Sequence, residues 1–246
     1  MAKLNPVFSG IVTDEGVETQ ATVKGVATKT LILLIVAVIS GFVGIYYGAE
    51  IIFENIFVYF AILLGAVISG IIGRVSPNAA KVCSFIYAGC EGVFLGLISF
   101  IVDAAYSGMV MSAILITATI FGVMLLLYST NIIRVTGKFM RVMSGIGITI
   151  LVVSLMYSIS ALINPNNILI TALYNQPGLF LLISVIILLF GAFMLAVDFE
   201  EVNVIVANGF DKKYEWMAAL GLMVTIIWIY IQVLRILLVI ASRSRD

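Results

Sequence analysis

Seven stretches of this chain are each apolar enough and long enough to cross a bilayer: about 31–48, 56–73, 82–102, 109–129, 139–163, 178–199 and 216–241. A membrane helix needs about 20 mostly apolar residues to span roughly 30 Å of hydrocarbon. The expected fold class is therefore an all-α integral membrane protein with seven transmembrane helices. The connections are short and carry most of the charge, and Pro77, Pro165 and Pro177 all fall in them, where they break no helix. One membrane domain over residues 27–246 follows a polar arm at 1–26.

Composition removes other classes. Of the 246 residues 63% are hydrophobic and 11% charged, against about 45–50% and about 25% in a soluble domain. A chain of this size could not coat a soluble core with so few charges, so a soluble enzyme is excluded. There is no histidine, which removes Ser-His-Asp and Cys-His nucleophiles and His-ligated metals. Two cysteines, Cys83 and Cys90, make neither a zinc ribbon nor a disulfide framework; each reads as a small buried hydrophobe. Net charge is zero, so nucleic acid is not an expected partner. The last apolar stretch has no Lys for a retinal Schiff base. Neither a Gly-x-Gly-Asp protease motif nor a P-loop is present. No enzymatic activity and no cofactor are expected.

Lys and Arg set the orientation. Lys3, Lys24 and Lys29 precede the first span. Arg74 and Lys81 lie in the second connection, Arg134 and Lys138 in the fourth, and Lys212 and Lys213 in the sixth. The first, third and fifth connections have neither; Glu50, Glu54 and Asp103 occupy the first two of these. This alternation puts the N-terminus in the cytoplasm of a multi-pass cell-membrane protein, against which only Arg243 and Arg245 argue. Asp14, Glu15 and Glu18 before the first apolar run do not suit a cleaved secretory signal. Residues 9–26 read as a mobile or interfacial arm.

Ionisable side chains at membrane depth are costly, and each is a functional hypothesis. Glu91 sits near the middle of the third span. Ser84, Tyr87, Ala88, Glu91 and Leu95 share one helical face, and Gly92 and Gly96 form a GxxxG step on the adjacent ridge that permits close helix approach. Glu91 is expected to point into the bundle as a proton- or cation-responsive carboxylate; the plainer alternative is a neutral Glu in a structural hydrogen-bond network. Asp198 ends the sixth span. Either the helix runs on and buries it, or Asp198, Glu200 and Glu201 form a solvated acidic cap. Carboxylates of this kind are the hard oxygen ligands Ca²⁺ accepts, so Asp198 and Glu91 are candidate weak, transient Ca²⁺ ligands. On the seventh span Ala218, Gly221, Thr225, Gln232 and Arg235 make a small and polar stripe, expected to face protein. Arg235 either snorkels to the interface or pairs with an acid. Tyr46, Tyr47, Tyr214 and Trp216 read as an aromatic belt.

Several matches run along nearly the whole chain: Asn5-Pro6-Val7-Phe8, Thr22-Val23-Lys24-Gly25-Val26, Lys29-Thr30, Tyr87-Ala88 with Glu91-Gly92, Asp198 after an apolar run, Glu215-Trp216, Gly221-Leu222 and Trp228-Ile229-Tyr230-Ile231-Gln232-Val233-Leu234-Arg235. By their order and spacing the sequence resembles the Bax inhibitor (YccA-like) family of multi-pass membrane proteins, in its bacterial branch. The resemblance implies seven helices with the last central among the other six, and a pH-sensitive Ca²⁺ leak. It also implies an acid on the sixth helix paired with one on the seventh. By position Asp198 matches the sixth-helix acid, Glu91 the Glu-Gly motif, and the seventh-helix acid falls on Gln232. A Gln does not titrate, so the coupling of two carboxyl groups would be missing.

The function expected first is a pH-modulated Ca²⁺ leak with Ca²⁺ and protons as its ligands. Glu91 and Asp198 would line the path, and Gln232 with Arg235 would hold the closed state. The alternative is a non-conducting regulator of a membrane protease or another membrane complex, acting through the arm and the lipid-facing surface. A third reading is a proton-coupled carrier of a small solute.

Overall fold

The computed structural model describes residues 20–48, 56–163 and 176–243. Expectations for residues 1–19, Glu50, Glu54, Pro165 and Arg245 lie outside them. Among the described residues seven α-helices follow in order: α1 (Val23–Val43), α2 (Ile56–Val75), α3 (Pro77–Ala105), α4 (Met109–Ser129), α5 (Gly137–Ile163), α6 (Pro177–Ala207) and α7 (Tyr214–Arg243). A π-helical turn over Gly44–Gly48 continues α1. Six of the seven are long and apolar enough to cross a membrane; within α2 the apolar stretch Phe60–Val75 is shorter. The expected all-α membrane class therefore holds.

Local chemistry explains the ends. Pro77 and Pro177 are first helical residues, where a missing N–H costs nothing. Thr22 caps α1, its hydroxyl oxygen accepting Gly25 N–H at 2.9 Å. Residues 20–26, expected as the end of the arm, instead start the fold: Ala21 is buried and donates its N–H to Phe210 O at 2.8 Å. Gln20 bridges to Asp211. At the other end, α6 runs well past residue 199 to a Schellman stop. Gly209 takes φ +66°, its N–H bonds Val206 O at 3.1 Å, and Phe210 N–H bonds Ile205 O at 3.2 Å. The sixth connection is thus short, and Asp198 lies inside a helix.

Two compact units divide the chain. The first holds α1, α2, α3, the end of α6 and the start of α7. There α3 packs on both α1 and α2. The GxxxG step works as expected: Gly92 and Gly96 face Ala37, Ser40 and Gly41 of α1 so closely that no Cβ fits. Ser40 Oγ reaches across to Ala88 O at 3.3 Å. Hydroxyls elsewhere in the unit turn back on their own helix, as Thr30 to Val26 O and Ser84 to Ala80 O, which leaves few polar groups for lipid to strand.

The second unit holds α4, α5, most of α6 and the end of α7. Its packing is aromatic. Phe190 meets Trp228 edge-on at 5.9 Å, Phe139 meets Phe193 at 6.1 Å, and Gly191 makes room for the Trp228 ring. Only 6% of the apolar window of α5 is buried, which suits a helix facing lipid. In α7 the buried share is 33%, above every other long helix, so the stripe on the last helix does face protein over Ala218 and Gly221.

Candidate functional site

The polar residues of the first unit gather at the start of α7. The shortness of α7 side chains there makes the site possible. Arg74, the last cation of α2, lays its guanidinium across Gly221, where a Cβ would come within 2.9 Å of Cζ. From that seat Nη1 and Nη2 donate to the two carboxylate oxygens of Glu201 at 3.1 and 3.0 Å, and Nη1 also reaches Met217 O at 3.5 Å. This is the forked geometry that a planar guanidinium favours.

Asp198 lies one turn before Glu201 on α6 and is 5% exposed. The buried reading therefore replaces the solvated cap: the helix continues, and Glu201 is spent on Arg74. Facing Asp198 are the Arg74 charge, the Thr225 hydroxyl and Glu201. Its Oδ2 is buried and has no partner among the described residues. An orphaned buried acceptor costs about 1–3 kcal/mol, so this oxygen is where a proton, an ion or a water would be held.

On α7, Thr225, one member of the expected stripe, stands near Asp198. Gln232 lies two turns further along α7, in the second unit. It is buried, and its Oε1 is likewise unpartnered among the described residues. Arg235 is exposed, and among the described residues no carboxylate lies within ion-pairing distance of it.

Glu91 is half-buried. It lines a cavity of about 10 Å³ between α2 and α3 with Ile62, Leu63, Ala66, Cys90, Val93 and Phe94, at the lower limit for one water. Among the described residues no three Asp, Glu or Cys side chains gather as metal ligands.

A second polar cluster was not anticipated. Glu215, in the first turn of α7, is fully buried. Its Oε1 accepts Thr22 N–H at 2.8 Å and Thr22 Oγ at 3.2 Å, and its Oε2 pairs with Lys29. Lys29 also donates to Lys212 O at 3.4 Å. Gly25 has no side chain because the Glu215 carboxyl fills that space. Glu215, Thr22, Gly25 and Lys29 all stand among the residues that carry the resemblance, but no pattern in the chain couples positions 193 apart.

One expectation tests the Arg74 seat. Alanine in the middle of a helix normally gains up to about 1 kcal/mol over glycine. At Gly221 it is expected to lose about 1–3 kcal/mol instead, because the Cβ overlaps the guanidinium. Thermal stability in detergent reads the sign; a more stable Gly221→Ala variant would show that Arg74 does not need this seat.

A family model described as Bax inhibitor 1 like matches residues 5–242. No curated protein and no solved structure matches the chain.

Proposed function

This chain belongs to the Bax inhibitor family, and from that premise we propose that it is a Ca²⁺ leak channel whose flux responds to protonation. In this reading seven helices cross the cell membrane with the N-terminus in the cytoplasm. The observation that carries the reading is Asp198: a buried carboxyl with an unpartnered oxygen, beside Arg74 and Thr225. Such an oxygen is more stable when protonated, hydrated or bound to a cation. A gate that changes with its occupancy needs no further chemistry. Gln232, which stands where the resemblance implies a second acid, does not titrate, so in this reading the coupled carboxyl pair is missing. Glu91, in its cavity between α2 and α3, is the second carboxylate of the path.

Ca²⁺ entry into liposomes holding the purified chain, measured from mildly acidic to mildly alkaline pH beside protein-free liposomes, tests this. Flux above the control that varies with pH is expected. Asp198→Asn should flatten the pH profile, and Glu91→Gln should lower flux across it. No flux from folded protein would overturn the leak and favour the non-conducting regulator. Unchanged flux in Glu91→Gln at matched insertion would remove Glu91 from the path.

A further inference from the structure

Trp216 stands in the first turn of α7 between two ammonium groups. Lys29 Nζ lies 5.2 Å from the ring centroid and Lys81 Nζ 5.9 Å from it. Phe85, one turn after Lys81 on α3, packs on the same indole at 5.3 Å. Around this ring the cations are not balanced. Lys29 is neutralised by Glu215, Arg74 by Glu201 and Lys213 by Asp211. Lys24, Lys81 and Lys212 are exposed, and among the described residues none has a carboxylate within ion-pairing distance. All three sit at the same end of the first unit, on the first turns of α1 and α3 and in the α6–α7 connection.

We propose that this surface binds the headgroup phosphate of an anionic phospholipid, with Lys81 and Trp216 at its centre and Lys24 and Lys212 at its rim. The physical case has three parts. Helix ends of a membrane protein lie at headgroup depth, where an indole is at home with its ring in the acyl boundary and its N–H in the polar layer. An ammonium on a flexible stem is a point-charge phosphate binder that adapts to a mobile headgroup. The three lysines are exposed near helix ends and not gathered in a pocket, whereas a soluble phosphate ligand would call for converging donors. The leak is not needed for this inference; only the membrane class is.

The chain has two tryptophans, Trp216 and Trp228, so Trp228→Phe leaves Trp216 as the sole reporter. That variant of the full chain is reconstituted in phosphatidylcholine vesicles with a minor fraction of brominated lipid. Brominated phosphatidylglycerol is expected to quench Trp216 several-fold more than brominated phosphatidylcholine at the same mole fraction. Lys81→Gln should cut that preference about fivefold, the factor for one lysine at an anionic surface, and Lys81→Arg should restore it. Equal quenching by the two lipids would overturn the proposal. A preference that survives Lys81→Gln would also overturn it. So would its loss on adding glycerol phosphate, which would point to a soluble phosphate ligand.

Discussion

Valine in place of Gly96 is expected to leave little folded protein. The Cβ alone would fall 2.6 Å from Gly41 Cα and 2.7 Å from its carbonyl carbon, and in contact with its oxygen. These are backbone atoms of α1, so no rotamer relieves the overlap and the helices must separate. Separation strands more than one residue. Gly92 meets Ala37 and Ser40 in the same way, Gly44 meets the Val93 backbone, and the Ser40 to Ala88 bond spans the same seam. In lipid no hydrophobic force pulls helices together again; close packing and interhelical hydrogen bonds do that work. A loss of about 3 kcal/mol or more is expected, the upper end for overpacking. Gly89→Ala on the same helix is the control, since nothing lies within 4 Å of its Cβ position. The check is the fraction of monodisperse protein surviving a heating series in detergent. A Gly96→Val variant as heat-resistant as Gly89→Ala would mean that the α1–α3 seam does not hold the unit together.

Glu215→Ala is the second large effect. Lys29 and Glu215 have side chains only 12% and 1% exposed, so the pair is out of reach of most solvent screening. Removing the carboxylate leaves an ammonium largely buried and takes away the acceptor for Thr22 N–H. Breaking one side of a buried pair costs about 3–5 kcal/mol. Glu215→Gln keeps an acceptor for Thr22 and should lose less. The double variant Lys29→Met, Glu215→Leu should recover much of the loss, because no lone charge remains. A double-mutant cycle on thermal stability reads the coupling directly. Additive losses would show that the two residues stabilise the fold independently. Whatever disturbs this cluster also disturbs Arg74, since Met217 O, two residues on, accepts its hydrogen bond.

Much of the fold was legible because lipid imposes it. A run of apolar residues about as long as the bilayer is thick has one cheap conformation, with its backbone bonds satisfied internally. Hence the helix positions, the prolines at the starts of α3 and α6, and the GxxxG step all followed from the residue order. So did the burial of Ala218, Gly221 and Gln232 in the stripe on α7, because small and polar side chains at helical spacing are wasted on lipid. Errors came at the ends. α1 starts earlier and α6 stops later than hydropathy suggests, because Thr22 and the Gly209 stop set those ends by hydrogen bonds that apolarity does not register.

The site was legible only as a set of residues. Periodicity tells which side chains share a helix face; it does not tell which face meets which helix, or at what height. Asp198 was visible as an acid on the sixth helix, but the order of residues does not show that Arg74 and Thr225 stand beside it. Glu201 reads as part of an acidic cap in one of two alternatives, and nothing in the order of residues shows that Arg74, 127 residues away, holds it. Glu215 stands in the sequence only as part of the Glu215-Trp216 match, with nothing to show that Thr22 and Lys29 close around it. By itself the sequence determined the helices, their membrane class and the acids within them. Only the tertiary structure decided the partners of those acids. A buried charge is stabilised by whichever group lies within about 4 Å, and that distance is a property of packing, not of the order of residues along the chain.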